Sequence, residues 1–525
     1  MADIKNNHII NFVFLFFFIF CLIILSDYGV SQDEYTFRIH GFVTLKYVGN
    51  IFFPDFINFY IGEKNIPILD SEYQGKSYGA YYSALIGLIE VFFNIHDKYN
   101  QFLLHHYVNF TIFFISSIAF YKILYLITNN KLLSLIGFFF LILSPRFFAN
   151  YFYNTIDVYF LSIIVLLNYF TIKIFYNWNV KNLILVSLFT ALVVDHRIAG
   201  IYFLIQNIFF FILILSKNCN PKKIFVHLSI YLIFFLFFIY LFWPYLWSDP
   251  INNFITAFQE MSSWSYKVYS LLNGKEYISD NLPWFYLFFW IGITTPILYL
   301  FFFLIGSLYL NLRFKKFFFT KSKDLISYFY FFFILLGTIL IVLVIKPNLY
   351  NGWRHFYYLY PSILVVGVYG IQILLKKNKI IKLTTYFAII IHFLFIVNWM
   401  LHNHPYQQSY FNILAGKNVS KNFDMDYWAL SYKDHLLNIL KREKKEKINI
   451  YNLSESKVYY SLFSLREKER ERFLIVNSLQ DADYVITNYY FFDKEKKELL
   501  QKILKLKKLN DIKVDKNIIS SVFIN

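Results

Sequence analysis

Long apolar stretches separated by short polar loops recur from residue 9 to residue 400. They fall at 9–25, 103–127, 131–148, 156–176, 183–197, 199–216, 224–243, 284–310, 326–346, 357–375 and 381–400. Each approaches the roughly 20 residues that a helix needs to cross a bilayer. In lipid, backbone N–H and C=O groups must be satisfied within the segment, and a helix does this. The pattern predicts a polytopic α-helical membrane protein of about eleven transmembrane helices. Composition agrees, since 58% of residues are hydrophobic and a soluble chain could not hide that much apolar surface. Many of the 66 Phe stand where Leu would be usual, and read as lipid-facing bulk.

The net charge of +17 raises the question of nucleic acid. The Lys and Arg, however, sit largely in short loops between apolar runs, which is the positive-inside pattern and excludes a nucleic-acid groove. With the N-terminus cytoplasmic, the inside loops collect Lys131, Lys181, Lys217, Lys222, Lys223, Arg313, Lys315, Lys316, Lys321, Lys323, Lys376, Lys377 and Lys379. The other side receives a large first loop, 26–102, and everything after residue 400. The 78–95 segment is apolar but interrupted by Glu90, and reads as a helix at the interface. Lys5 before the first run, with no small-residue cleavage site before Asp33, reads as an uncleaved anchor. Cys21 and Cys219 lie in a span and a basic loop, so no disulfide or Cys-based metal site is expected.

Near His402 the composition changes, and charged residues become much denser. Short β-rich runs at 448–451, 473–476 and 484–487 alternate with helical patterns at 434–441 and 494–506. This divides the chain into a transmembrane part, 1–400, and a small soluble α/β domain, 401–525, on the outer, periplasmic side.

The outer side also gathers the chain's unusual polar groups. Asp33 and Glu34 follow the first span, Asp157 opens the fourth, and Lys76, Arg146, Arg197, Arg354 and His355 lie at other ends. Charges at membrane depth are costly, so several on one face point to a shared site. Asp33, Glu34 and Asp157 are the types that deprotonate an acceptor. Lys76, Arg146, Arg197 and Arg354 are the types that hold a phosphate, arginine bidentately. A phosphate there would be a leaving group, held by fixed cations, and at a membrane surface it most naturally belongs to a lipid carrier. Trp247 and Trp264 lie in aromatic loops suited to stacking on a sugar. Simpler readings stand beside these: Asp157 as a helix cap, Arg146 and Arg197 as headgroup contacts, Trp247 as an interface-belt residue. His355 and His404 lack the partner spacing of a metal site, which leaves a divalent metal open.

The combination Asp33-Glu34, Ser144-Pro145-Arg146-Phe147-Phe148, Asn154-x-x-Asp157, Thr294-Thr295-Pro296, Gly352-Trp353-Arg354-His355 and His404-Pro405-Tyr406-Gln407 resembles bacterial membrane glycosyltransferases of the GT-C class. The likeness is to those related to protein O-mannosyltransferases and the lipid A aminoarabinose transferase. Tyr410-Phe411-Asn412 and Asp426-Tyr427-Trp428-x-x-Ser431-Tyr432 extend it, so that it runs from about residue 9 to 435. The resemblance implies a polyprenyl- or dolichyl-phosphate sugar donor and inverting transfer. It implies that Asp33 is the catalytic acid of the first outer loop, with Glu34 beside it and Asp157 as a second acidic position. Lys76 and Arg354 match phosphate-holding positions more weakly. Family members often carry Asn-Pro-Lys-Asp where this chain has Asn154-Thr155-Ile156-Asp157, so the local Lys is missing.

The function expected is transfer of a sugar to an acceptor hydroxyl or amine at the periplasmic face of the inner membrane. The acceptor is a protein or, alternatively, lipid A or another glycolipid. A lipid-linked sugar flippase is the rival from another class. Transporters usually show inverted repeats, and no internal repeat is visible here.

Overall fold

The computed structural model describes residues 2–55, 66–70, 72–217, 220–262, 267–491 and 494–525, with the backbone alone for 2–7 and 262. Trp264 and Cys219 lie outside the described residues. Among the described residues, eight helices are long and apolar enough to cross a membrane, or nine if a bent pair forms one span. The protein is a multi-pass helical bundle that carries a small C-terminal sheet.

Helix starts follow from local chemistry. Asn130, Asn179, Asn220, Ser322 and Asn378 each accept a backbone N–H three residues on, at the start of the helices that begin at 131, 180, 221, 323 and 379. All five caps stand in the basic loops, so cap and charge mark the same end of the bundle.

The difference from eleven straight spans is made by prolines and by length. The 131–148 run divides into helices Lys131–Ile142 and Pro145–Tyr153, which meet at 67°. Proline has no N–H to donate and disfavours helix at the residue before it, so Ser144 falls between the arms and Pro145 begins the second. The bend brings Arg146 into the first turn of the second arm. The 284–310 run breaks at Pro296 into Tyr286–Thr294 and Ile297–Leu312. Here the Asn412 amide donates to the carbonyls of Gly292 (2.7 Å) and Thr295 (2.6 Å), satisfying groups that the break frees. Val180–His196 has 17 residues, about 25 Å of helix, just short of the bilayer's hydrocarbon thickness.

The 26–102 loop is itself structured. It holds helices Gln32–Phe52 and Tyr81–Phe92. The second spans about 18 Å, too short to cross. The two pack closely at Gly41, where a Cβ would stand 2.5 Å from the Ser83 carbonyl. Glu90, the charge that interrupts the 78–95 run, is buried and bonded to Arg38 (2.6 Å) and His105 (3.1 Å).

After the last long helix, Lys379–His402, the chain packs against the 286–294 helix, where the Asn412 N–H bonds the Ile293 carbonyl, before forming its sheet. Strands β1 (Tyr269–Leu272) and β2 (Lys275–Ile278) make a separate hairpin. The C-terminal sheet consists of β3 (Ile448–Asn452), β4 (Phe473–Val476), β5 (Tyr484–Thr487), β6 (Lys507–Val514) and β7 (Asn517–Ile524). Its order is β4-β3-β5-β7-β6, parallel among the first three and antiparallel in the rest. Ile448, Ile450, Ile486 and Val522 pack against Leu436 and Ile439 of helix Tyr432–Arg442. The Tyr28 hydroxyl donates to Gln407 and the Lys433 ammonium to the Tyr28 carbonyl, tying this part to the end of the first span.

Candidate functional site

Four side chains from four separate segments converge at one end of the bundle. Asp33 lies in the first turn of helix Gln32–Phe52 and Asp157 in the first turn of Asp157–Tyr176. Arg197 follows helix Val180–His196, and Arg354 opens the turn before Tyr360–Leu375. Arg354 Nη1 donates to Asp33 Oδ2 (2.9 Å) and to Asp157 Oδ2 (3.2 Å). Arg197 Nη2 donates to Asp157 Oδ1 (2.5 Å), and its Nη1 donates to the His355 carbonyl (3.4 Å).

Asn154 resolves the two readings of Asp157. Its Oδ1 accepts the Asp157 N–H at 2.9 Å, so Asn154 performs the capping. Its amide also donates to Asp157 Oδ2 (3.1 Å). The Asp157 carboxylate is thus left to the two arginines. Its side chain is 1% exposed, whereas that of Asp33 is 22% exposed. Of the two acids that Arg354 bridges, only Asp33 has an open side from which a substrate proton could be taken.

Arg354 is buried and ringed by aromatics. Its guanidinium carbon stands 5.1 Å from the Tyr350 ring centre, 5.2 Å from Trp428 and 5.7 Å from Tyr427. Such faces favour a cation while leaving its in-plane N–H groups to other partners. Arg146 is caged similarly, 4.7 Å from Phe411 and 5.6 Å from Trp290, with Nη2 donating to the Tyr410 carbonyl (3.1 Å). No described carboxylate pairs with Arg146. The Nε–H groups of both Arg146 and Arg354 are buried without a hydrogen-bond partner. Both arginines line one narrow cavity, of about 20 Å³, with Asn150, Tyr153, Tyr357, Gln408, Asp424 and Asp426. A buried cation without an anion is expensive, and two orphan donors on one cavity suit an anion with several oxygens.

Asp424 and Asp426 complete the wall and were not among the expected site residues. Burial pushes the Asp424 carboxyl up to about 7, opposed by the Leu271 N–H it accepts at 3.0 Å. Burial likewise raises Asp426 to about 6, although Ser431 and Leu430 N–H groups bond it. Their signal in the sequence is a pair of acids beside Tyr427 and Trp428, of which only Asp426 falls in a motif that carries the resemblance.

Other expected residues lie apart. Glu34 turns from its neighbour: it forms a capping box with Ser31, and its Oε1 is 2.9 Å from His106 Nε2. Lys76 pairs with Glu260 at 2.7 Å. Trp247 donates to the Tyr240 carbonyl (2.6 Å) and its ring neighbours Tyr47 and Phe52. His355 borders the cluster, its ring against Tyr350 and its Nδ1 buried without a partner. Among the described residues no three His, Cys, Asp or Glu side chains gather as metal ligands would, and Asp33 and Asp157 are both taken up by arginine.

No family model and no curated protein matches the chain. Among solved structures it is similar to ArnT from Cupriavidus metallidurans bound to undecaprenyl phosphate, with a TM-score of 0.49, 9% identity and 97% of each chain covered. The apo state of that protein gives 0.49, 8% identity and the same coverage. An Archaeoglobus fulgidus oligosaccharyltransferase tethered with an acceptor peptide gives 0.47 and 11% identity, over 90% of this chain and 69% of that one.

Proposed function

We propose that this chain is an inverting GT-C glycosyltransferase that moves a sugar from a polyprenyl-phosphate carrier to an acceptor hydroxyl or amine at the periplasmic face. The observation that carries the reading is the pair of buried arginines, Arg146 and Arg354, with orphan Nε–H groups on one cavity and the half-open Asp33 bonded to one of them. A lipid-linked phosphate answers the unpaired charge of Arg146, and its position at the end of the spans suits a carrier whose tail stays in the bilayer.

In this reading Arg146 and Arg354 hold the donor phosphate. The acceptor enters on the open side of Asp33 and attacks the anomeric carbon opposite the phosphate. The bond from that carbon to the phosphate oxygen breaks, and its electron pair leaves with the lipid phosphate. The acceptor proton passes to an Asp33 carboxylate oxygen. Negative charge grows on the phosphate as the bond lengthens, and the fixed guanidinium groups stabilise it without reorganising. Asp157 and Arg197 act through Arg354: they fix the guanidinium between two acids, so that it faces the cavity before substrate arrives. Glu34 and Lys76 have no part in the step, since each is committed elsewhere.

The test is transfer from a labelled polyprenyl-phosphate sugar in membranes containing the protein, followed by separation of protein from lipid. Label in either fraction supports the reading and tells a protein acceptor from a glycolipid. Movement of the intact donor across the bilayer with no transfer would replace it with a flippase.

A further inference from the structure

A second cavity, of about 480 Å³, lies at the opposite end of the bundle. Asp157 begins its helix and Tyr176 ends it, and Tyr176 lines this cavity, so the two sites stand about 30 Å apart, one bilayer thickness. The wall comes from the ends of four long helices and the loops between them. Its floor is apolar, formed by Ile174, Phe175, Ile214, Leu215 and Ile326. Lys217, Lys223, Lys321, Lys323 and His227 surround it.

None of the four lysines pairs with a described carboxylate. Lys217 donates to the Thr320 carbonyl (2.6 Å) and Lys323 to the Tyr176 carbonyl (2.7 Å). Asp324, beside Lys323 in the chain, accepts from the Tyr176 hydroxyl. Lys223 and Lys321 are exposed and make no side-chain hydrogen bond among the described residues. Trp178, also in the wall, stands edge-on to His227, and its indole N–H is buried without a partner. Four cations and an orphan donor are therefore set around a greasy floor.

We infer that this cavity binds a phosphate group at the membrane surface away from the transfer site, and that the phosphate belongs to an anionic lipid. The charge alone would accept any phosphate. The apolar floor adds what a free ion cannot use and what a glycerol backbone and the start of an acyl chain can fill. Basic pockets between spans hold lipid headgroups by this combination. The inference is independent of the reaction at the other end.

The test uses the full chain in nanodiscs of phosphatidylcholine, with and without phosphatidylglycerol, and native mass spectrometry of the lipid retained. The wild type is expected to keep phosphatidylglycerol selectively. The double variant K223Q/K321Q should bind it about 30-fold more weakly, at the usual contribution of a lysine near an anionic surface. K217Q is a second variant at the same rim. K376Q/K377Q, which removes equal charge from another basic loop, should retain lipid as the wild type does. Equal unfolding of all variants in pure phosphatidylcholine checks that they fold. Displacement of the lipid by inorganic phosphate supports recognition through the phosphate. Phosphate binding with no lipid retained would overturn the lipid assignment. Equal retention by K223Q/K321Q, or equal loss in the K376Q/K377Q control, would overturn the site.

Discussion

Arg354→Gln is the perturbation that most exposes how the cluster is built. It removes a buried cation that joins Asp33 at 2.9 Å to Asp157 at 3.2 Å. Breaking a buried pair by deleting one partner typically costs about 3–5 kcal/mol, because the other charge is left uncompensated. Asp157 keeps Arg197 and the Asn154 amide, and Asp33 is partly open to water, so the low end, about 3 kcal/mol, is expected. Asp33, which pairs with no other cation among the described residues, is the charge left stranded, and Asp33→Asn in the R354Q background removes it. The double variant should therefore recover about 1–2 kcal/mol relative to the sum of the singles. Arg354→Lys keeps the charge but not the planar fork, and should fall between. The assay is unfolding in nanodiscs across the cycle, with transfer measured on the same preparations. Transfer by R354Q should fall about 100-fold or more, the usual effect of losing a donor to developing negative charge. Strictly additive stabilities, or full transfer by R354Q, would refute the reasoning.

Glu34→Gln separates the two adjacent acids. It weakens the capping box and the His106 contact, lowering stability by about 1–2 kcal/mol, while leaving the rate of transfer by folded enzyme within a few-fold. A loss of turnover matching that of an Asp33 variant would move the base to Glu34. Asp424 gives a pH dependence. Its folded carboxyl titrates near 7, against about 3.9 when unfolded, so the folded state holds the proton longer. Its contribution to stability falls as pH rises from about 4 to 7 and is flat outside that window. Unfolding of wild type and D424N between those limits checks this: D424N should lose much of the slope, leaving the part from Asp426, and an unchanged slope would contradict the assignment.

How far the sequence could be read depended on whether a residue's partner was local. Apolar runs and basic loops gave the bundle, because length and charge are properties of a segment. Pro145 and Pro296 stand inside two of the apolar runs, and their effect on span count depended on bend angle and on how Asn412 closes the second break. The meeting of Asp33, Asp157, Arg197 and Arg354 follows from charges at one membrane face that must find each other. Glu34 turns away from Asp33 for a local reason that the sequence carries: Ser31-x-x-Glu34 is a capping box in plain sequence. Lys76 offered no such cue, since Glu260 is far along the chain. The β6–β7 hairpin was not legible either. Asp515 and Lys516 both take positive φ between the two strands, as a two-residue turn requires. The strands' mixed Lys, Asn and Ser content hid them beside the cleaner runs of β3, β4 and β5.

Asp33→Asn, assayed with a labelled lipid-linked sugar, bears most directly on the claim that one half-open carboxylate takes the acceptor's proton. The substitution keeps the side chain's size and one oxygen facing Arg354, so folding should survive. Transfer should drop at least 100-fold while the protein still binds its donor. Undiminished transfer by a correctly folded Asp33→Asn protein would contradict the account.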